Sequence, residues 1–165
     1  MDLSVLINAI REALKESQVS IRPTNETKKN FQEVLHRKFK NTLKHIEKDG
    51  IEYCLSNILE DKCDAYKDKC DIFIGTNKYI VIVEMDATRA DQVAKKMLSR
   101  YYYAEKNKKP TVYICLLYPG TEKMDTNECL KYMNMGKDVL LSMNSSNRFI
   151  GAFIDGENVD WKLIG

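Results

Sequence analysis

The sequence predicts an α/β protein, a mixed central β-sheet flanked by helices, and three observations carry that expectation. Apolar residues recur at helical spacing in four separate segments. Two β-branched, apolar runs, "CDIFIG" and "YIVIVEM", flank a short turn in the manner of a hairpin. A third run, "TVYICLLYP", is continuously apolar and of strand length, which suits a central strand covered on both faces. Helices and strands alternating in this way build a sheet with helices packed on it.

Taken in order, residues 3–17 are expected to be helical, with Leu3, Leu6, Ile7, Ile10 and Leu14 on one stripe. The polar segment "SIRPTNETKKN" interrupts the pattern at Pro23. A second helix is expected over 27–48, its stripe formed by Phe31, Val34, Leu35, Phe39, Leu43 and Ile46 and its other face by Lys28, Lys29, Arg37, Lys40 and Lys44. Glu33, Glu47 and Asp49 dilute that basic face, and Asp49-Gly50 stops the helix. Residues 51–60 fit either strand or helix, with strand favoured at the start, and "DKCDAYKDK" reads as a loop. The hairpin turns through Gly75-Thr76-Asn77-Lys78. A helix follows Thr88 and closes at Lys106–Pro110; Thr88 and Asp91 have the spacing of an N-cap and its N3 partner. After the central strand come a helix over 124–143, with Gly136 as a break point, and a last strand, "RFIGAFID".

The length of 165 residues suits one domain, 1–165, with a core large enough to need no staples. A net charge of +2 makes the chain no polycation, so any nucleic-acid binding must come from a local basic face. Five cysteines with no CxxC pair point to reduced thiols; a metal site around Cys63 and Cys70 is the sharper alternative. The first segment lacks the basic start and apolar core of a signal peptide, and no run reaches transmembrane length, so the expectation is a soluble cytoplasmic protein with no membrane partner. Phosphate-binding glycine loops, GxSxG elbows and HExxH motifs are absent, which leaves serine-based and nucleotide-driven chemistry without support.

The stretch "VEMDATRADQVAKK" changes character at its middle. Asp71 opens the first hairpin strand, Glu84 closes the second, and Asp86 shares the side of Glu84 while the chain stays extended. An antiparallel hairpin brings Asp71 beside Glu84. Carboxylates gathered there repel one another unless a cation lies between them. Oxygen ligands of this kind favour magnesium or manganese. Each acid has a structural alternative: Asp71 as a turn residue, Asp86 as shaper of the strand-to-helix turn, and Arg89 pairing with Asp86 or Glu84 to neutralise them without metal. Glu84 follows five apolar residues, where a lone carboxylate is costly, so a functional or ion-paired role is expected for it. On the following helix, Arg89, Gln92, Lys96 and Arg100 form one polar face beside an apolar face that includes Tyr101.

Over residues 28–118 this element order resembles the PD-(D/E)xK nuclease superfamily, the restriction-endonuclease-like fold. The family carries an Asp on one hairpin strand, a Glu or Asp near the end of the next, and a Lys two residues later, before a helix and another strand. Here Asp71 and Glu84 match the acids, Cys70 stands where Pro is frequent, and Asp86 stands where Lys is expected. The departure leaves three options: a lysine supplied by the helix, from Lys96 or Lys95; Asp86 as an extra ligand; or an inactive site kept for binding. RecB-like members place a Gln and, four residues on, a Tyr on this helix; Gln92 matches, and Lys96 stands in the Tyr position. The resemblance implies metal-dependent hydrolysis of DNA, with Asp71, Glu84 and Asp86 holding Mg²⁺ or Mn²⁺. Lys96 would act with the acids in catalysis, and Arg89, Gln92 and Arg100 would contact the nucleic acid. It also implies residues 1–22 as an N-terminal extension, 119–165 as a C-terminal helix and strand, and a homodimer as a further option. The alternative function is a non-catalytic module of the same fold that binds nucleic acid or a protein.

Overall fold

A computed structural model describes residues 2–19, 24–46, 58–60, 67–76, 78–118 and 126–165. Helix α1 (Leu3–Ser17) begins at Asp2, whose side chain accepts from the Ser4 amide at 2.9 Å, and it ends at Gln18 in the left-handed region. Its buried stripe, Leu6, Ile7, Ile10 and Leu14, packs on α2 (Asn25–Ile46) through Phe31, Val34, Leu35, Phe39 and Leu43. Exposed ion pairs from Lys38 to Glu12 (3.3 Å) and Glu16 (3.1 Å), and from Arg37 to Glu16, border the same contact. The expected break at Pro23 and the stop at Asp49-Gly50 lie outside the described residues.

The strands β1 (Ile58–Glu60) and β2 (Lys67–Lys69) form a small antiparallel pair. The loop expected across Asp61–Lys69 is thereby corrected at its end, where Lys67–Lys69 is extended; the rest of that loop, and residues 51–57, lie outside the described residues. The main sheet has the order β3-β4-β5-β6-β7. Strands β3 (Ile72–Gly75) and β4 (Ile80–Ala87) pair antiparallel as the hairpin pattern predicts. A crossover through α3 (Ala90–Asn107) returns the chain to β5 (Thr111–Tyr118), parallel to β4 and buried at every position. A second crossover through α4 (Thr126–Met143) leads to β6 (Arg148–Asp155), parallel to β5.

Strand β6 is not the last. A two-residue turn at Gly156-Glu157 reverses the chain into β7 (Asn158–Ile164), antiparallel to β6. Gly156 has φ of 61°, the position of such a tight turn that glycine fills without strain. Two further expectations change. Helix α4 runs unbroken through Gly136, whose missing side chain admits Met97 and Tyr101 of α3; a Cβ there would lie 2.3 Å from Met97 Sδ. The N-cap of α3 is Arg89, with no side-chain cap, in place of the expected Thr88.

The period of two along the strands divides the core into two layers. Ile72, Ile74, Val81, Val83, Val112, Ile114, Leu116 and Ile150 face α1 and α2. Phe73, Ile80, Ile82, Tyr113, Cys115, Leu117 and Phe149 face α3 and α4. Cys70, Cys115 and Cys129 are buried and none forms a disulfide; Cys54 and Cys63 lie outside the described residues. Among the described residues, no helix is long and apolar enough to cross a membrane.

At the opposite end of the sheet from the C-terminus of β4, Asn147 knits three elements together. Its Oδ1 accepts from the Thr111 amide at 2.7 Å and its Nδ2 donates to the Leu140 carbonyl at 2.8 Å, all within the buried interior. Asn147→Ala leaves an amide and a carbonyl without their partner, and each orphaned group costs about 1–3 kcal/mol. Urea unfolding of this variant is expected to give a stability lower by about 2–4 kcal/mol, with an unchanged denaturant slope.

Candidate active site at the C-terminal end of β4

Strand parity decides where the acids point. Ile80 and Ile82 face the α3 layer, so Glu84 and Asp86 share that face. The β3–β4 register pairs Ile72 with Val83, and one step further sets Asp71 across from Glu84. The Asp71 carboxylate is fixed by the Met85 amide, which donates to its Oδ2 at 2.7 Å. Its backbone carbonyl accepts from Gln32 Nε2 on α2. The three acids therefore gather at one end of the hairpin, with Glu84 only 2% exposed.

Helix α3 supplies the opposite charge. Lys96 and Arg100 are one turn apart and both face the sheet. Lys96 Nζ lies 2.9 Å from Glu84 Oε2, 3.1 Å from Asp86 Oδ2 and 3.9 Å from Asp71 Oδ2. Arg100 donates from Nε to Glu84 Oε1 at 2.5 Å, from Nη1 to Asp68 and to Ser99 Oγ, and from Nη2 to the Lys69 carbonyl at 2.5 Å. Both oxygens of Glu84 thus meet a cation. Asp68, Asp71, Glu84 and Asp86 face Lys96 and Arg100, so the fully ionised cluster carries two uncompensated negative charges.

Burial is the main influence on Glu84 and pushes its pKa up to about 7; Lys96 and Arg100 pull it back, and Asp71 adds to the rise. For Lys96 burial acts downward, but Glu84, Asp71 and Asp86 outweigh it and hold the ammonium above its ordinary value. Arg100 is likewise held above its ordinary value, burial being outweighed by Glu84 and Asp68. Lys96 stays charged across the neutral range, while Glu84 changes state within it.

The other sequence candidates fall elsewhere. Arg89 pairs with Asp91 at 2.8 Å, and Gln92 Nε2 donates to the same Asp91 oxygen at 3.0 Å, so neither is brought to the carboxylates. The salt-bridge alternative built on Arg89 is corrected in the same way, since the cations on Glu84 are Lys96 and Arg100. The side chain of Arg100 is 3% exposed, which corrects its expected role as a phosphate contact. Tyr101 is buried and donates to the Gly136 carbonyl at 2.8 Å. Sequence reasoning missed Asp68 as a partner of Arg100. The available signal was the four-residue spacing from Lys96, which sets Arg100 one turn further along the same face.

Among the described residues, no three Asp, Glu, His or Cys side chains converge into a cage able to hold a metal by themselves. No family model, curated protein or solved structure matches the chain.

The Glu84–Arg100 pair is buried on both sides, so removing one member strands the other's charge or hydrogen bonds. Arg100→Leu is expected to lower stability by about 3 kcal/mol in urea unfolding. In a carboxyl NMR titration, Glu84 is expected to have a midpoint near 7, which Lys96→Met moves upward by removing a cation. Because the folded pKa exceeds the ordinary 4.5, the stability contributed by this group is complete below pH 4.5 and declines as pH rises through about 7.

Proposed function

We propose that the chain is a Mg²⁺- or Mn²⁺-dependent deoxyribonuclease of the restriction-endonuclease-like kind, hydrolysing DNA phosphodiester bonds. The observation that carries this reading is Lys96. The sequence has no lysine two residues after Glu84, yet an ammonium from α3 lies within 2.9–3.9 Å of all three acids at the end of β4. This gathering of strand end, acids and lysine supports the reading, with the helix supplying the lysine that the family pattern carries on the strand.

The donor set fits a hard divalent cation. Every candidate ligand is a carboxylate oxygen, and Mg²⁺ is ordinarily held through one or two carboxylates, with water and substrate phosphate filling the rest of its shell. That the described residues form no three-ligand protein cage is compatible with that habit. Asp71 and Glu84 would hold the ion, with Asp86 at the partly exposed rim. Such an ion lowers the pKa of a bound water and offsets charge building on the phosphate.

The chain's own groups do the rest. Lys96 Nζ has three N–H donors, and among the described residues only Glu84 and Asp86 have oxygens within hydrogen-bond distance of it. The gap to Asp71 is too long for a hydrogen bond, so a third donor is left for the attacking water or a phosphate oxygen. Arg100 acts through Glu84 as a positioning residue, fixing Oε1 from below. Ionised Glu84 is the form that attracts a cation, so in the metal-free protein burial, which raises its pKa, opposes metal binding as pH falls.

A second reading, a non-catalytic module of the same fold that binds nucleic acid or a protein, is favoured by the occupation of both Glu84 oxygens by cations of the chain itself. One experiment separates the two. Single- and double-stranded DNA are incubated with the protein in Mg²⁺ or Mn²⁺, beside Glu84→Ala and Lys96→Ala variants. Metal-dependent cleavage that falls about a hundredfold or more in both variants supports the nuclease. Intact DNA together with no calorimetric binding of Mg²⁺ rejects it in favour of the module.

A further inference from the structure

Helices α3 and α4 cover the same face of the sheet and run in the same direction, because each returns the chain between parallel strands. They meet at Gly136, where Met97 packs against the bare backbone and the Tyr101 hydroxyl donates to the Gly136 carbonyl at 2.8 Å. Successive residues of a helix turn by about 100°. On α3, Arg100 and Tyr103 point away from α4, to Lys69 and Phe73 on the β3 side. On α4, Lys137 and Leu141 point away from α3, toward Gly165 at the end of β7. The sense of rotation therefore sets Leu98 and Tyr102 of α3, and Met135 and Val139 of α4, along the outer side of the seam between the helices. They are 75%, 43%, 54% and 51% exposed. A single exposed apolar residue is ordinary, whereas four large ones in one patch mark a contact surface.

The patch has a symmetry of its own. Leu98 and Tyr102 lie two residues either side of Arg100, and the exposed charges Lys95 and Glu105 lie five residues either side of it. Met135 and Val139 lie two residues either side of Lys137. The contacts of Gly136 with Met97 and Tyr101 set these two midpoints at the same height along the helices. A two-fold axis at that height, in the plane of the patch and perpendicular to the helices, lays each helix antiparallel on its own copy. Leu98 then meets the partner's Tyr102, Met135 meets the partner's Val139, and Lys95 meets the partner's Glu105, each pair formed twice.

We propose that the outer face of α3 and α4 docks on the same face of a second copy of this chain, as an antiparallel two-fold dimer centred on Leu98, Tyr102, Met135 and Val139. The occupant is a second copy because one face supplies both halves of every contact, and the symmetry that matches the apolar residues also sets opposite charges together. Two adjacent helices of this length offer a face about 27 Å long and about 20 Å wide, the scale of the smaller specific interfaces. The dimer is accordingly reversible, with Kd in the micromolar range. The pairing goes beyond the nuclease reading and does not depend on it, since Glu84, Lys96 and Arg100 lie on the inner side of α3.

Sedimentation velocity of the full chain from about 1 μM to about 200 μM is expected to show a monomer–dimer equilibrium. Leu98→Asp, at a position too exposed to carry the fold, weakens it about a hundredfold. Lys95→Glu and Glu105→Lys each set like charges together twice and weaken it about tenfold. The double variant re-forms both pairs and restores the dimer. An equal mixture of the two single variants does the same, because every charge in the mixed dimer then meets its opposite. A chain that stays monomeric at every concentration overturns the proposal, whatever other protein or surface covers the patch. A dimer indifferent to Leu98→Asp places the interface elsewhere and also overturns it. So does a dimer that Leu98→Asp breaks but that neither the double variant nor the mixture restores, since the antiparallel register then fails. Metal-dependent cleavage of DNA can persist or be absent in each case without bearing on the result.

Discussion

Glu84 is the constraint around which this end of the molecule is organised. A carboxylate at 2% exposure inside an apolar strand costs several kcal/mol unless its charge is met. Two cations meet it, one on each oxygen, and both come from the same face of α3. The helix is thereby locked in rotation as well as in position. Its apolar residues Val93, Met97, Tyr101 and Ala104 are compatible with small rolls of the helix, but a buried guanidinium on a buried carboxylate is not. Arg100 extends the constraint outward. Its planar fork reaches Asp68 and the Lys69 carbonyl as well as Glu84, and so fastens the small β1–β2 pair to the main sheet.

The position of Glu84 follows from topology. Strand β4 is antiparallel to β3 on one side and parallel to β5 on the other, and it feeds directly into the crossover helix. At the carboxyl end of such a strand the chain leaves the sheet, and side chains there face a crevice between strand ends and helix; in open α/β sheets ligands bind at such crevices. The same residue type two positions earlier, at Ile82, would lie under the middle of α3 with no access to solvent. Glu84 stands at the boundary: its own carboxylate is buried, while Asp71 and Asp86 beside it are about 30% exposed.

The elements with strong periodicity were legible in the chain. The stripe of α1, the hairpin, the continuously apolar central strand and the existence of α3 need only local pattern to be read. Strand β7 was not, because its residues alternate about a half-exposed surface, with Val159 and Trp161 packing only partly against the core, and the hydrophobic signal is diluted. The Asp-Gly step at 155–156 was the available clue. The acids and Lys96 were legible because strand period and helix period each fix a face. The destination of Arg100 was not. Helical spacing gives the direction of a side chain but not its depth, and depth here depends on Asp68 and Lys69, which lie about thirty residues earlier in the chain. Arg89 and Gln92 share the face in projection. They sit in the first turn beside an exposed Asp91, and the nearer partner takes them.

Exchanging a lysine on the strand for one on the helix is not neutral in charge. With Lys at position 86, Asp71, Glu84 and that lysine would sum to a single negative charge. With Asp86 in its place and Lys96 reaching in from α3, Asp71, Glu84, Asp86 and Lys96 sum to two, since Asp68 and Arg100 cancel each other. A cluster with two uncompensated carboxylates and partly exposed rims draws in a divalent cation more strongly, and repels a phosphodiester until that cation is present. Under the proposed nuclease reading, nucleic acid would then be attracted by cationic groups away from the acids, and Lys28, 5.5 Å above the Tyr118 ring beside the C-terminal ends of β4 and β5, is one of them. On the same reading, an acid at position 86 with the lysine on the helix would separate two tasks: the acids and Lys96 would set the charge at the strand ends, and cationic groups elsewhere would hold the polymer.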